Sequence, residues 1–172
     1  MTQRHSRTRG KRAQALAEMA VMVPFLVIGM MGMLDLGRAF YYQISITNAV
    51  REAARYAVQP YYLGLNPGCP TIPPVPNPWP SNCVTQSDDA IIARVNQELN
   101  GTGIVVPTSA IQVSPNEQAR TATFNNDGTP QYPITVNASF KFTFITPIIG
   151  QLVGDANGQL TINTSAVFRA EY

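Results

Sequence analysis

The clearest hydrophobic pattern in the chain is an apolar run near its N-terminus. Residues Met19 to Leu34 are all uncharged, and extending this run back to Ala13 adds one charged residue, Glu18. At about 1.5 Å per residue, some twenty residues cross the hydrocarbon core of a bilayer. The pattern therefore predicts a transmembrane helix over residues 14–35. It also leaves one carboxylate to explain, because a charge in hydrocarbon is costly unless it is paired.

After residue 35 the apolar positions recur every three or four residues, while charged residues fall elsewhere around the helix. The recurring positions are Leu36, Phe40, Ile44, Thr47, Val50, Ala54 and Val58. Neither glycine nor proline occurs between Arg38 and Gln59. The spacing predicts an amphipathic helix over residues 36–59 that continues the transmembrane helix. Pro24, inside the apolar part, removes one backbone hydrogen bond and is expected to loosen or kink it.

Residues 60–86 break the periodic pattern. Eight of the fourteen prolines lie between Pro60 and Pro80, so this stretch forms neither a helix nor a central strand. Cys69 and Cys83 are the two cysteines of the chain, and both lie in this stretch. Outside the cytoplasm we expect them to form a disulfide, since two cysteines with no histidine nearby make a poor metal site.

A short helix and a sheet are predicted for residues 87–172. The helix covers SDDAIIARVNQELNG, with Ser87 as N-cap and Gly101 as the stop. Strict alternation of apolar and polar residues then predicts long strands from Tyr132 to Phe144 and from Leu160 to Ala170. Weaker runs at 111–113 and 119–124 are expected to complete an antiparallel sheet.

The apolar face of this sheet has to be buried, and the amphipathic helix is the available partner. The predicted fold class is therefore α+β, with a long N-terminal helix packed on a small antiparallel sheet. The two long strands are joined by ITPIIGQLVG, residues 145–154. We expect a turn that packs on the core, and the alternative is a loop that dips into the membrane. Turns are expected at NNDGTP, residues 125–130, and at GDANGQ, residues 154–159, and neither has the ligand spacing of a calcium loop.

The charge distribution predicts the topology. Five basic residues precede the apolar run and no acidic residue does; they are Arg4, Arg7, Arg9, Lys11 and Arg12. A basic segment before a membrane helix favours a cytoplasmic N-terminus, which places the rest of the chain outside. A cleaved secretory signal would need a cleavage site after the apolar run, and LDLGRAFYY offers none. Binding of nucleic acid is not expected, because no basic stripe continues into the domain.

The sequence lacks the residues of the common catalytic sites. His5 is its one histidine and lies in the basic leader, and neither GxGxxG nor a Walker motif occurs. We therefore expect no enzymatic activity, cofactor, metal or small-molecule substrate. The chain is interpreted as a structural or assembly component.

The stretch QALAEMAVMVPFLVIGMMGMLDLGRAFYYQISITNAVREAARYA, residues 14–57, resembles TadE-like proteins. These are minor pilins or pseudopilins of the tight adherence (Tad) pilus, a type IV pilus used in surface adherence. In that family a prepilin peptidase cuts after a small residue, usually glycine, and the fifth residue of the mature chain is glutamate, followed by an aromatic. The resemblance implies a cut between Ala13 and Gln14, which removes the leader, residues 1–13. Ala13 replaces the usual glycine and Met19 the usual aromatic, whereas a cut after Gly10 would make Glu18 the eighth residue.

Cleavage at this point would create an α-amino cation at Gln14, one helical turn from Glu18. The resemblance implies that the carboxylate pairs with this amine in a neighbouring subunit during assembly. The implied partners are other pilin subunits, the Tad assembly platform, prepilin peptidase and the bilayer, at the bacterial cytoplasmic membrane or in a pilus. The sequence leaves two alternatives open. In the first, the Glu18 carboxyl reaches the lipid headgroups of a simple membrane anchor. In the second, the chain is an uncleaved single-pass membrane protein whose external head binds a ligand through the Pro-rich loop and Trp79.

Overall fold

The structure is a computed structural model that describes residues 6–59, 86–120 and 133–169, with the side chains of 6–10 and 12 left out. Its elements in chain order are α1 (Ser6–Ala57), α2 (Asp88–Glu98), a 3₁₀ turn (Thr108–Ala110), β1 (Ile111–Ser114), β2 (Pro133–Thr143), α3 (Pro147–Val153) and β3 (Gln159–Arg169). The described elements divide into two compact units. The first contains Met1–Phe40 and Thr143–Leu160, and the second contains Tyr41–Phe142 and Thr161–Tyr172.

Helix α1 confirms the predicted continuity between the apolar and amphipathic segments. It runs without a break from Ser6 to Ala57 and includes Pro24. Its N-terminus lies eight residues before the predicted start at Gln14. Its C-terminus falls shortly before Pro60, which lacks the N–H that a continuing helix would need.

The core of the second unit lies where the end of α1 meets the sheet and α2. The buried residues that α1 contributes are Ile46, Ala49, Val50, Ala53, Ala54 and Ala57. Four of these six are alanines, whose small side chains let the helix backbone lie close to its neighbours. Tyr42 adds edge-on contacts to the rings of Phe140 and Phe142, with centroids 5.7 and 5.5 Å apart. The predicted packing of the amphipathic helix on the sheet is thus confirmed.

The sheet has three antiparallel strands in the order β1-β2-β3. β1 pairs antiparallel with β2, so that Ile111 lies opposite Ala138 and Val113 opposite Val136. Buried and more exposed residues alternate along β2, as the period of two requires. Both long strands form within a residue or two of their predicted limits.

Helix α2 also forms as predicted. The Ser87 hydroxyl accepts a hydrogen bond from the Ala90 N–H at 3.2 Å, which satisfies one of the free donors of the first turn. After the helix, Gly101 has a φ of +84°, a conformation that favours glycine. Ile91 and Val95 of α2 and Leu99 at its C-cap are almost fully buried.

The strand predicted over residues 119–124 is wrong where it can be compared, because residues 117–120 form a helical turn. The turn is held by Arg120, whose side chain is fully buried. Its guanidinium donates to the Gln86 carbonyl at 2.8 Å and pairs with Asp88 Oδ1 at 2.7 Å. The Asp88 carboxylate also accepts from the Glu117 N–H at 3.1 Å. These contacts with residues some thirty positions away hold residues 117–120 in a helical conformation.

In the first unit, the connection from β2 to β3 contains α3 and a tight turn. The Asp155 carboxylate accepts from the N–H groups of Asn157 at 2.8 Å and Gln159 at 3.0 Å. Gly158 in the same turn has a φ of +68°. This is the local turn chemistry that the sequence predicts. The Pro-rich loop, Cys69, Cys83, Trp79 and the turn at 125–130 lie outside the described residues.

Candidate functional site

The apolar segment of α1 has almost no cover from the rest of the described chain. Every residue from Ala13 to Met31 is exposed. The large apolar side chains among them include Leu16, Phe25 and Met30, each about two-thirds exposed or more. Thirteen large apolar side chains between Leu16 and Leu34 are exposed in this way. The described residues of the chain leave this surface uncovered, so it calls for another partner such as lipid or a second protein.

The free-energy cost of leaving this apolar surface in water is large. At roughly 1–2 kcal/mol for each side chain left in water, the thirteen together cost on the order of 15–25 kcal/mol. That exceeds the stability of a typical domain, about 5–15 kcal/mol. The helix is long and apolar enough to cross a membrane. One such N-terminal helix fits a single-pass membrane protein.

Glu18 is the one charged residue in this apolar surface between Ala13 and Leu34. Its side chain is exposed, and Oε1 accepts a hydrogen bond from the Gln14 side-chain amide at 3.0 Å. Residues four apart share one face of a helix, so the carboxylate points along α1 towards its N-terminus. The Gln14 amide is neutral, so among the described side chains the Glu18 carboxylate has no counter-charge.

The predicted processing point lies inside the helix. Ala13 and Gln14 both belong to α1, whose first residue is Ser6. The structure thus places Ala13, Gln14 and Glu18 on adjacent turns of one continuous helix. Processing and amine pairing stay predictions about these three residues.

A second carboxylate, Asp35, has a role that the sequence did not indicate. It directly follows the uncharged run, yet it is only 1% exposed. Its two oxygens accept from the N–H groups of Ile145 at 3.0 Å and Thr146 at 2.8 Å. Arg38, one turn later, lies 3.4 Å from Oδ1. The carboxylate thus fastens the start of α3 to the end of the apolar segment.

The contacts of Asp35 explain why a buried charge is tolerated at this point. Buried ionised groups need hydrogen bonds or a counter-charge, and Asp35 has both. The chain offers one local signal, an acidic residue at the end of an apolar run. Its partners are 110 and 111 residues away, so no local pattern identifies them.

The second unit has a polar surface pocket whose charged side chains pair with one another. Glu52, Arg94 and Glu98 line it, with Arg94 paired to Glu98 at 2.7 Å and to Glu52 at 3.6 Å. Each of these side chains is about a third exposed, so the pairs form a solvated ion network. Among the described ranges of the chain, no group of three or more His, Cys, Asp or Glu side chains could hold a metal ion.

Comparison with known proteins gives one match. The family model described as TadE-like protein matches residues 13–55, about a quarter of the chain. No curated protein and no solved structure matches the chain. The matched range contains Ala13, Gln14 and Glu18 and ends within the amphipathic part of α1. Residues 13–55, which make up most of α1, therefore form a TadE-like segment, as the resemblance to that family predicted.

Proposed function

We propose that the chain is a minor pilin or pseudopilin that takes part in assembling a Tad pilus for surface adherence. The TadE-like match suggests a pilin-like protein associated with that pilus. The observation that carries the proposal is the long exposed apolar face of α1, which contains a single carboxylate without an ion-pair partner among the described side chains. Such a face can be covered by lipid before assembly and by the helices of other subunits afterwards.

Glu18 favours the transfer of α1 from lipid to the helices of other subunits. Removal of residues 1–13 would leave an α-amino cation at Gln14, on the side towards which the Glu18 carboxylate already points. In a low-dielectric setting an unpaired carboxylate is strongly disfavoured. A neighbouring subunit that brings its terminal amine to Glu18 removes this penalty, so helix packing is favoured in one register.

Processing and localisation follow from the same arrangement. The basic leader holds the N-terminus on the cytoplasmic side of the bacterial inner membrane, and the residues after α1's apolar segment lie outside. Prepilin peptidase removes the leader, and the mature helix then packs with other pilin subunits on the Tad assembly platform. The disulfide between Cys69 and Cys83 belongs to this proposal as well, because it requires an oxidising compartment.

The first test is the intact mass of the membrane-extracted full chain, expressed with and without its prepilin peptidase. We expect loss of residues 1–13 in the presence of the peptidase and the full-length mass in its absence. A full-length mass in both cases would refute pilin-type processing. It would leave an uncleaved single-pass membrane protein with an external ligand-binding head.

The second test separates assembly from processing. Glu18→Gln keeps the size of the side chain but removes its charge, so the variant should still be cleaved and should no longer copurify with other pilin subunits after crosslinking. Glu52→Gln is the matched control, since it makes the same change on α1 outside the apolar segment and should leave copurification unchanged. Normal copurification of Glu18→Gln would show that the charge at this position does not select the register.

A further inference from the structure

The connection between β2 and β3 has an exposed apolar surface of its own. Residues 144–154 contain no charged side chain. Four large apolar side chains of this connection are exposed: Ile145 at 66%, just before α3, and Ile148 at 50%, Leu152 at 79% and Val153 at 60% within α3. The expected packing of this stretch on the core is wrong for these four side chains. An exposed apolar surface of this kind is typical of a site that contacts a membrane or a protein partner.

Two contacts hold this connection at the end of the apolar segment of α1. Asp35 binds the N–H groups of Ile145 and Thr146, as described above. Ile149 packs where Gly32 has no side chain, because a Cβ built on Gly32 would lie 2.7 Å from Ile149 Cδ1. Gly32 belongs to the uncharged run and precedes Asp35 by about 4.5 Å along the helix axis. All these residues lie in the first unit.

The backbone of the connection is suited to a medium with little water. Irregular backbone facing lipid is disfavoured because its polar groups have no partners. Here the Asp35 carboxylate satisfies the N–H groups at the start of α3. The Thr146 carbonyl accepts from Ile149 and Gly150, each at 3.1 Å, and the Gly154 N–H donates to the Gly150 carbonyl at 3.0 Å.

We propose that α3 is a second membrane-contacting element, embedded in the interface at which α1 leaves the bilayer. Lipid covers the exposed side chains of the connection, because α3 is fixed at the level of Gly32, a residue of the segment that crosses the membrane. Interfacial helices bury their apolar face by roughly 5–10 Å at the headgroup boundary. The four exposed side chains of the connection would enter that layer and set the depth at which α1 sits. The proposal rests on α1 crossing a bilayer, and it requires neither cleavage nor pilus assembly.

The test places a single tryptophan in the full chain, reconstituted in phosphatidylcholine nanodiscs. Trp79→Phe removes the natural tryptophan, and Leu152→Trp or Ile148→Trp then introduces the probe at an exposed position. Lipids brominated near the headgroup or near the chain ends quench tryptophan according to its depth. Met33→Trp, 77% exposed on α1, reports whether the helix itself is inserted. Val105→Trp, 74% exposed in the second unit, is the control for an apolar site outside the first unit.

We expect Leu152→Trp and Ile148→Trp to lose emission with the lipid brominated near the headgroup, and Val105→Trp to keep it. Quenching of Met33→Trp together with unquenched, red emission from both α3 probes would overturn the proposal and leave the span intact. Blue emission from α3 without quenching, dependent on protein-to-lipid ratio, would assign this surface to a second copy and also overturn it. Absence of quenching at Met33→Trp would refute the membrane span itself.

Discussion

Asp35→Ala should release the connection between β2 and β3 from α1. The substitution removes two hydrogen bonds to a charged acceptor, at 3.0 and 2.8 Å, and leaves the Thr146 N–H buried, since Thr146 is 4% exposed. Hydrogen bonds to charged groups contribute about 1.5–3 kcal/mol each. Taking the lower figure for both gives about 3 kcal/mol for local opening. At roughly 1.4 kcal/mol per tenfold, amide exchange in the connection should rise about 100-fold.

The measurement is hydrogen–deuterium exchange of the full chain in nanodiscs, followed by mass spectrometry of peptides covering 143–154. Arg38→Gln is the matched control. Its guanidinium is 38% exposed and 3.4 Å from Asp35, so its loss should cost less than about 1 kcal/mol and change exchange less than about fivefold. Equal exchange in wild type and Asp35→Ala would refute the anchoring role. An increase confined to peptides elsewhere in the chain would refute it as well.

Three further predictions concern processing and the second unit. Ala13→Gly should raise the fraction of chains cleaved by prepilin peptidase, measured by intact mass, and Gly10→Ala should leave cleavage unchanged; a block by Gly10→Ala would move the cut to Gly10. Arg120→Met should lower the free energy of unfolding in detergent by about 2–4 kcal/mol, because it breaks a buried charged network, whereas Arg51→Met on the exposed face of α1 should change it by less than about 0.5 kcal/mol. Ala53→Leu should cost about 1–3 kcal/mol in the same unfolding assay, since Ala53 is fully buried against the sheet and the larger side chain overpacks the core; an unchanged value would place that face of α1 outside the core.

The sequence by itself determined the elements whose signals are local. The uncharged run and the period near 3.6 predicted the C-terminus of α1 to within two residues, although the helix begins eight residues before its predicted start. Ser87 and Gly101 marked the limits of α2. The period of two predicted β2 and β3. These patterns predict the elements correctly because each element buries one face, and the spacing of its own apolar residues identifies that face. The TadE-like segment is local in the same sense, and Glu18 stands out within it because its neighbours are uncharged.

The tertiary structure decided what depends on residues distant in the chain. Asp35 is an anchor because the N–H groups of Ile145 and Thr146 reach it from more than a hundred positions away. Arg120 turns its segment into a helix because Gln86 and Asp88 provide buried acceptors there. The sequence does not show whether a carboxylate or a guanidinium is exposed to water or buried among hydrogen-bond partners. Only the fold brings these partners together. Because burying a charge without partners is costly, Asp35 and Arg120 stabilise this arrangement of the chain over others.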